Sequence, residues 1–508
     1  MKRLLFVLLM LFASLTFLCQ NDVDAIRYSR PGVNGTSRFK AMGGAFGALG
    51  ADISCMAYNP GGLAIFKKGE VSYGGGLKFI NNEGTLNGKS SGITDASFVF
   101  NNFGFAISWP SQTDKESRHI LGFSNIQVQN FYEKTRLSAY TTNSIAKDML
   151  NKAQLQPNAL TLDSYSNLGY QVYVLDDTSN KFFSNVDLKR NVLQTRDIVT
   201  SGKLNDLNFT YAYSYKDQFY LGASLGLPRV NYTSTTTHTE IDDKDSMRIG
   251  ITSPPGQPYT YTTTYSDPPL KNSPGRLGFN SLTYTEYFNT TGRGINLKLG
   301  AVARVNEFLR LGFYYHTSTI FTLEDKYYNS MSATFDKDTK KSLDYKDPAD
   351  GGYFKYKIIT PGRFGINSGF ILGKKAAIGI DYEIINYKNA QLSSATVADF
   401  AGVNAVIKHK YKYASNVRAG IEFNLKPIML RAGYNMQGSP FGNAFTGSFV
   451  RHTVSVGFGF RSKNNVFYDF VWFKNFSKED YYMFTTVSQK STISYNSAQF
   501  AATIGIKF

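Results

Sequence analysis

The chain ends with Phe500-Ala501-Ala502-Thr503-Ile504-Gly505-Ile506-Lys507-Phe508, a stretch in which apolar side chains alternate with small or polar ones. Successive side chains of a strand point to opposite faces, so Phe500, Ala502, Ile504, Ile506 and Phe508 would share one face, opposite Thr503, Gly505 and Lys507. In lipid every backbone polar group must be paired, so such a strand needs neighbours on both sides. The ending predicts an all-β fold, an antiparallel transmembrane β-barrel. It also predicts that the barrel-assembly machinery contacts the C-terminal strand ending at Phe508.

Residues 1–19 are typical of a secretory signal, because they begin with basic residues and continue as an apolar run too short to span a bilayer comfortably. Cleavage after Cys19 and cleavage after Ala25 both fit the sequence, and the choice stays open. A lipid anchor on Cys19 is disfavoured, since Thr16-Phe17-Leu18 lacks a small residue before the cysteine. Either cut leaves Cys55 as the sole thiol, which excludes an intrachain disulfide.

The composition agrees with an outer-membrane barrel better than with a soluble enzyme. Aromatic residues make up 15% of the chain and 45 residues are glycine, which suit interfacial girdles, tight turns and close strand approach. The net charge is +17, but lysine and arginine are scattered and form no dense basic helix or nucleic-acid motif. We therefore predict no nucleic-acid partner, and attribute the charge to an anionic outer-membrane surface or an acidic ligand.

Alternating segments predict fourteen strands, an even number that returns both termini to the periplasm. Every odd-numbered connection is predicted to be longer than every even one, as expected for external loops and periplasmic turns. Lys216-Asp217-Gln218 and Asn306-Glu307 have the composition of such turns. The predicted strands are residues 69–81, 95–109, 119–133, 204–215, 219–236, 281–305, 308–325, 353–372, 376–390, 408–424, 427–437, 449–461, 466–477 and 496–508.

Two predicted strands lose the phase of their alternation. In 95–109 the apolar set changes face across Asn101-Asn102, and in 119–133 it changes face across Ser124-Asn125. A change of phase indicates a bulge or kink, where one residue leaves the ladder.

The segment before the barrel, residues 20–66, does not alternate and is rich in glycine, which predicts a compact plug ahead of a barrel formed by residues 67–508. It contains Arg38-Phe39-Lys40-Ala41-Met42-Gly43-Gly44-Ala45-Phe46 and Tyr58-Asn59-Pro60-Gly61-Gly62-Leu63-Ala64. These stretches resemble the hatch of FadL-like outer-membrane transporters of long-chain fatty acids and other hydrophobic compounds. Gly61 stands where that family usually has alanine. Similarity continues in the barrel, at residues 291–300 and 309–316.

The resemblance implies passive transport in the outer membrane. Family members close the barrel with the hatch, capture an amphipathic molecule at the external loops, and release it sideways at a kinked third strand. Ser124-Asn125 lies on the third predicted strand and is therefore the candidate lateral opening. The Asn59-Pro60-Gly61 turn is the candidate gate, with a rigid structural turn as the alternative.

Strand parity also predicts lumen-facing cations near mid-height, which would contact the head group of a long-chain carboxylate. Neighbouring acids, Asp381, Glu383, Glu422 and Asp469, offer the alternative of a purely structural network. The candidate head-group residues are Lys298, His316, Arg363, Arg418 and Arg431.

Other functions have weaker support. Gly222-Ala223-Ser224-Leu225-Gly226 matches a hydrolase motif but lies inside a predicted strand, and the five histidines lack metal-ligand spacing, so we predict no enzyme, no metal and no cofactor. A haem receptor using His238 and a structural or adhesive barrel remain as alternatives. Loop 134–203 contains two predicted amphipathic helices, which would form either an apolar collecting surface or a packed lid.

Overall fold

The computed structural model describes residues 22–30, 32–112, 114–178, 181–244, 246–247, 249–252, 260–263, 278–335, 343–394, 400–442 and 449–508. The predicted signal, residues 1–19, lies outside them. Across the described ranges, no helix combines the length and the hydropathy that a membrane span needs.

The described strands form one closed antiparallel barrel and two small hairpins outside it. The last strand pairs with the first, and backbone bonds between Gly69 and Phe508 (2.8 and 3.0 Å) complete the closure. Eighteen strand segments make up the barrel. Eight of them are the two halves of four barrel strands that are each interrupted once, near residues 131, 318, 361 and 388. The barrel therefore has fourteen strands, which confirms the prediction. The strands are β1 Glu70–Leu86, β2 Lys89–Pro110, β3 Arg118–Asn130, β4 Glu133–Thr141, β5 Leu175–Thr178, β6 Lys181–Ser184, β7 Val192–Tyr215, β8 Phe219–Ile241, β9 Ile249–Thr252, β10 Thr260–Thr263, β11 Phe279–Arg304, β12 Leu309–His316, β13 Ile320–Phe335, β14 Leu343–Ile359, β15 Arg363–Leu372, β16 Ala376–Asn386, β17 Gln391–Ser393, β18 Tyr413–Leu425, β19 Ile428–Gln437, β20 Arg451–Arg461, β21 Val466–Tyr482 and β22 Lys490–Lys507.

The two faces of the barrel follow the alternation of the sequence. On β7, Phe209 and Tyr211 are exposed on the outer face, whereas Asn208, Thr210 and Ser214 are buried inside. The same holds on β22, where Phe500, Ile504 and Ile506 point outward. The apolar outer face suits lipid, which supplies no hydrogen bonds.

The first hairpin differs from the prediction. A connection of 13 residues was expected after residue 81, but β1 and β2 continue and meet in a two-residue turn at Asn87-Gly88. Both residues have positive φ (50° and 78°), which is the conformation that Asn-Gly favours in tight hairpins. The strict alternation of long and short connections therefore fails here, because the next connection, residues 111–117, is longer.

The two phase changes have different causes. Gly74 pairs with Asn102 and Gly75 with Phe100, so Asn101 is an extra residue and the predicted bulge is confirmed. Ser124 and Asn125, in contrast, are paired on both sides in continuous register, and the predicted kink position is wrong. The phase changes there because Ile126 is apolar and faces the interior, where it joins a buried cluster. The register of β3 shifts three residues later, between Gln127 and Gln129.

The helices lie in the N-terminal segment and in the external loops. Ser144 caps helix α4 (Ile145–Ala153) as predicted, and the second predicted loop helix is α5 (Ser164–Gln171). Met149 of α4 and Leu168 of α5 are fully buried in one cluster, so these apolar residues form a packed lid and not an open collecting surface. The helices are α1 Asp22–Arg27, α2 Ser37–Ala41, α3 Cys55–Tyr58, α4 Ile145–Ala153, α5 Ser164–Gln171 and α6 Ala401–Lys410, with 3₁₀ turns at Pro60–Ile65, Ala159–Thr161 and Tyr387–Asn389.

The N-terminal segment, residues 22–66, packs against the inner wall of the barrel, and inward-facing glycines let it approach closely. A Cβ on Gly300 would lie 2.0 Å from Asn59 Oδ1, and one on Gly222 would lie 2.3 Å from the backbone of Pro60. Glycine is therefore required at these strand positions by close backbone contact. Gly222 belongs to the hydrolase-like motif, whose Ser224 only shares a buried hydrogen bond with Thr210 (2.8 Å).

Candidate ligand cavity and lateral seam

One group of ion pairs joins the N-terminal segment to the barrel wall. Arg38 donates two hydrogen bonds to the carboxylate of Glu422, both 2.9 Å long. Arg431 donates to the same carboxylate (2.6 Å) and to Asp469 (2.7 Å). Asp469 also accepts two bonds from Arg461. Two acids are thus shared by three arginines, so Arg431 is held within a structural network.

A second group surrounds Glu383, higher on the same inner wall. Arg418 donates to Glu383 (2.9 Å), and its guanidinium lies 5.6 Å from the centre of the Tyr58 ring. Tyr314 and Asn416 also donate to Glu383, at 2.8 and 2.7 Å. Arg418 therefore has a fully buried carboxylate partner in this structure.

The remaining three predicted head-group residues also have partners. Lys298 donates to Asp206 (2.8 Å) and Asn208 (2.6 Å). His316 Nε2 lies 2.7 Å from the carbonyl oxygen of Tyr58, and Arg363 donates to the carbonyl of Ser29 (2.9 Å). The predicted five residues therefore surround the N-terminal segment and do not converge on one cavity.

The Asn59-Pro60-Gly61 turn is fully buried against the inner wall of the barrel. The Asn59 amide donates to Gly47 O (2.6 Å), and its oxygen accepts from the Gly61 N–H (3.1 Å), which caps the following 3₁₀ turn. A Cβ on Gly61 would lie 2.9 Å from the backbone of Ala301, which explains the small residue there. These contacts favour the structural role, and the gating role stays a prediction.

A cavity of about 410 Å³ lies between α1 and the upper inner wall. Its lining combines aromatic rings with several cations and two acids, a composition suited to an amphipathic molecule. The residues that carry this character are Phe131, Tyr232, Phe441, Phe473, Phe476 and Tyr495, with Arg27, Arg30, Lys78 and Arg451, and with Glu133 and Glu479. None of the five predicted head-group residues lines it.

Arg30 is the most distinctive cation of this cavity. Its side chain is buried, and its Nη2 donates to the carbonyls of Gln437, Gly438 and Phe449 at 3.3, 3.1 and 2.7 Å, while Nε has no partner. Burial, reinforced by the nearby Arg451, lowers the pKa of Arg30 below its usual range. Arg451 itself has only a distant contact with Glu479, at 3.9 Å. Sequence reasoning missed both arginines, because no local pattern marks a contact between residues 30 and 451.

Lys40 lies close to the floor of the cavity, inside the N-terminal segment. Its ammonium donates to Asn101, the bulge residue of β2, at 2.5 Å, and lies 5.1 Å from the Phe473 ring. Burial lowers the pKa of Lys40 to about 7. Gln499, which lines the cavity, donates to the same Asn101 oxygen (3.0 Å).

The wall beside the cavity is interrupted at the third barrel strand. β2 pairs with β3 only from Asn102 to Pro110, and after the register shift at Gln127 the strand continues as β4, which pairs with β7 alone. Among the described residues, the part of β2 before Asn102 pairs with β1 but has no strand partner on its other edge, which faces β4. Gln129, Phe131 and Glu133, on either side of the break, all line the cavity.

Side chains of the first hairpin close this gap; we call the contact between the β1–β2 hairpin and β4 the seam. The bonds go to backbone carbonyls along the free edge of β4 and replace a strand ladder. They are Lys78 to Tyr132 O (2.6 Å), Asn82 to Lys134 O (2.9 Å), Ser91 to Ser138 O (3.5 Å) and Asn87 to Tyr140 O (3.2 Å). Ion pairs Lys78–Glu133 (2.6 Å) and Lys134–Asp95 add to them.

These features define an outer-membrane transport barrel: a closed lipid-facing wall, an internal segment and a mixed apolar and cationic cavity. The chain belongs to the outer membrane protein transport family (OMPP1/FadL/TodX), whose family model matches residues 32–506. Family and fold are those of transport channels of Gram-negative outer membranes and not of enzymes.

Solved structures share this fold at low sequence identity. A FadL homologue of Pseudomonas aeruginosa is 12% identical with a TM-score of 0.53, over 94% of this chain and 100% of that chain. The Pseudomonas putida toluene transporter TodX is 10% identical with a TM-score of 0.50, over 94% and 99%. No curated protein sequence matches the chain. The identities are too low to carry a substrate, so the ligand must be argued from the cavity.

Proposed function

We propose that this protein takes up long-chain fatty acids or similar amphipathic acids passively across the outer membrane. The N-terminal segment acts as the hatch, and the cavity above it as the ligand site. The single observation that carries the proposal is the 410 Å³ cavity, with its aromatic lining and a buried arginine to which no carboxylate of the described residues is bonded. Such a volume suits a folded or partly inserted acyl chain, and the rings supply apolar contacts.

Arg30 and Arg451 would bind the head group. An arginine that donates only to carbonyls has no anion to displace, whereas Arg418 and Arg431 would have to leave Glu383, Glu422 or Asp469. A guanidinium in a dry site binds a carboxylate strongly through paired N–H donors. The original five candidates therefore serve, in this proposal, mainly to seat the hatch.

Release would occur sideways through the seam. A solute gains about 0.8 kcal/mol for each buried methylene, so a path that leads from the cavity directly into lipid avoids the cost of returning the chain to water. The break in β3 adjoins the cavity, and side-chain bonds separate more easily than a continuous ladder. Lateral release in this form needs no energy source.

The haem alternative loses its main support. His238 is fully buried and lies 2.9 Å from Glu240, within a cluster that also includes Ser144 and Gln194. In this state it cannot serve as an exposed axial ligand. A structural or adhesive barrel remains an outcome of the uptake experiment below.

The proposal is tested by uptake of a radiolabelled long-chain fatty acid into cells that contain or lack the protein. We expect saturable uptake that depends on the barrel and persists when the cells are de-energised. Equal uptake with and without the barrel, at matched surface expression, would exclude fatty-acid transport. A matched toluene measurement then distinguishes a hydrocarbon channel from a barrel that only supports or adheres.

A further inference from the structure

A row of three cations and one threonine crosses the outer face of the barrel on four neighbouring strands. Arg229 of β8 pairs directly with Arg293 of β11, Arg293 pairs with Thr322 of β13, and Thr322 pairs with Lys357 of β14. All four side chains are exposed on the outer face. We call these four positions the basic row.

The three cations of the basic row have no anionic partner among the residues that the structure describes. The side chains of Arg229, Arg293 and Lys357 make no hydrogen bond or ion pair with any described residue. Directly opposed residues of neighbouring strands have Cβ atoms about 5 Å apart, and like charges at that spacing destabilise the sheet. The juxtaposition of Arg229 and Arg293 therefore calls for an anion from outside the chain.

The height of the row indicates where that anion would come from. Below Arg229, the outward residues of β8 are Leu221, Ala223, Leu225 and Leu227, and below Arg293 those of β11 are Ile295, Leu297 and Leu299. From the periplasmic turn before Phe219 to Arg229 the strand rises ten residues. At ~3.3 Å per residue and a tilt of about 40°, this climb is roughly 25 Å, the height of the apolar band of outer-membrane barrels. Arg229 and Arg293 thus lie at the upper boundary of the lipid, and Lys357, 15 residues from the periplasmic end of its strand at Leu372, lies somewhat higher.

The opposite side of the barrel lacks this arrangement. The outward row there at a comparable distance from the periplasmic turns, in consecutive register across β19, β20, β21 and β22, is Met436, His452, Phe476 and Asn496, which holds no lysine or arginine. A general preference for cations at the membrane surface would act on both sides alike. The concentration of charge on β8–β14 is therefore a local feature of this wall.

We propose that the basic row binds the phosphate groups of a phosphorylated glycolipid of the outer leaflet. Its acyl chains would lie on the apolar band below, and its phosphates would bridge Arg229 and Arg293, with Lys357 beside them. Arginine suits phosphate through paired N–H donors, and clusters of basic residues at a membrane surface are attracted to anionic lipids. This inference is independent of the transported ligand.

The test compares lipid binding by the full-length protein and two double variants in detergent, using native mass spectrometry with bisphosphorylated lipid A as the probe. We expect Arg229→Gln with Arg293→Gln to weaken binding at least about tenfold, since hydrogen bonds to a charged group are stronger than neutral ones. The matched control is Lys474→Gln with Lys478→Gln, which removes the same charge from the outer face of β21 and should bind as the unchanged protein does. Dephosphorylated lipid A should bind all three proteins equally weakly.

Undiminished binding by the Arg229/Arg293 variant would overturn the proposal, and so would equal losses in both double variants, which would indicate nonspecific charge. Equal binding of dephosphorylated lipid A by the unchanged protein would show that phosphate is not recognised. Heat-modifiable migration on gels, the same for all three proteins, establishes that the variants are folded barrels.

Discussion

Two neighbouring regions inside the barrel use arginine in opposite ways. Around Glu422 and Asp469, each of three arginines donates to a carboxylate, and these bonds join the N-terminal segment to the wall. In the cavity above, the partners of Arg30 among the described residues are all backbone carbonyls. A buried charge without a counter-ion is costly. The ion pairs around Glu422 and Asp469 therefore hold the N-terminal segment against the wall, whereas the site of Arg30 indicates a place for an anionic ligand.

The largest expected effect is on the paired region. Glu422→Ala removes the shared acid of Arg38 and Arg431 and leaves two buried cations underpaired, so we expect the free energy of unfolding to fall by about 3–5 kcal/mol. The measurement is urea unfolding in detergent micelles, together with conductance in planar bilayers, which should rise as the hatch loosens. A loss below about 1 kcal/mol with no added conductance would mean that the network does not hold the hatch.

The next effect is on the cavity. Arg30→Gln should leave the barrel folded and weaken binding of a long-chain carboxylate at least about tenfold, because it removes a charge-assisted contact. Binding of the methyl ester should change little, since the ester carries no charge. Isothermal titration with acid and ester on the same preparation measures both, and parallel losses would rule out head-group recognition by Arg30.

Arg418 provides the sharpest contrast with Arg30. Because Glu383 already neutralises it, we expect Arg418→Ala to weaken binding of acid and ester by similar factors through disturbed packing. The same titration applies to Arg363→Ala, whose hydrogen bond goes to the carbonyl of Ser29 in the N-terminal segment. A selective loss of acid binding in either variant would restore the head-group role predicted for these residues.

A change at the third strand tests the exit. Val128 is the extra residue between Gln127 and Gln129, so deleting it should restore the β3–β7 register and reduce uptake while the barrel still folds. Val128→Ala keeps the bulge and serves as the control, with uptake expected near that of the unchanged protein. Normal uptake by a folded deletion variant would remove the proposed lateral exit.

The last effect concerns Lys40 and pH. Burial lowers the pKa of its ammonium to about 7, so the folded protein binds this proton less tightly than the unfolded chain does. The resulting destabilisation is fully present below pH 7 and is relieved as pH rises from 7 towards the unfolded pKa. Lys40→Met should flatten the rise in unfolding free energy between pH 7 and 9, and an unchanged slope would show that Lys40 is not responsible.

Much of the fold was predictable because lipid imposes a strict rule on the sequence. Outward residues must be apolar, so alternation revealed most strands and their faces, as on β7 and β22. The first hairpin was missed although Asn87-Gly88 is a strong turn signal, because polar residues on both faces of residues 82–94 hid the alternation. Ser124-Asn125 was misassigned because Ile126 faces an apolar interior, and periodicity cannot distinguish an inward apolar residue from a bulge.

The sequence by itself determined the class of membrane structure, the number of strands and the presence of inward cations, since each follows from a period of two and from the cost of an unpaired backbone in lipid. Only the tertiary structure decided which cations are neutralised. Arg418 and Arg30 are both buried, and nothing in the sequence around them shows that one has an acidic partner and the other, among the described residues, does not. Their partners come from distant parts of the chain: Arg418 bonds Glu383, and Arg30 bonds the carbonyl of Phe449. Pairing of that kind depends on register and on the seating of the N-terminal segment, which no local pattern encodes.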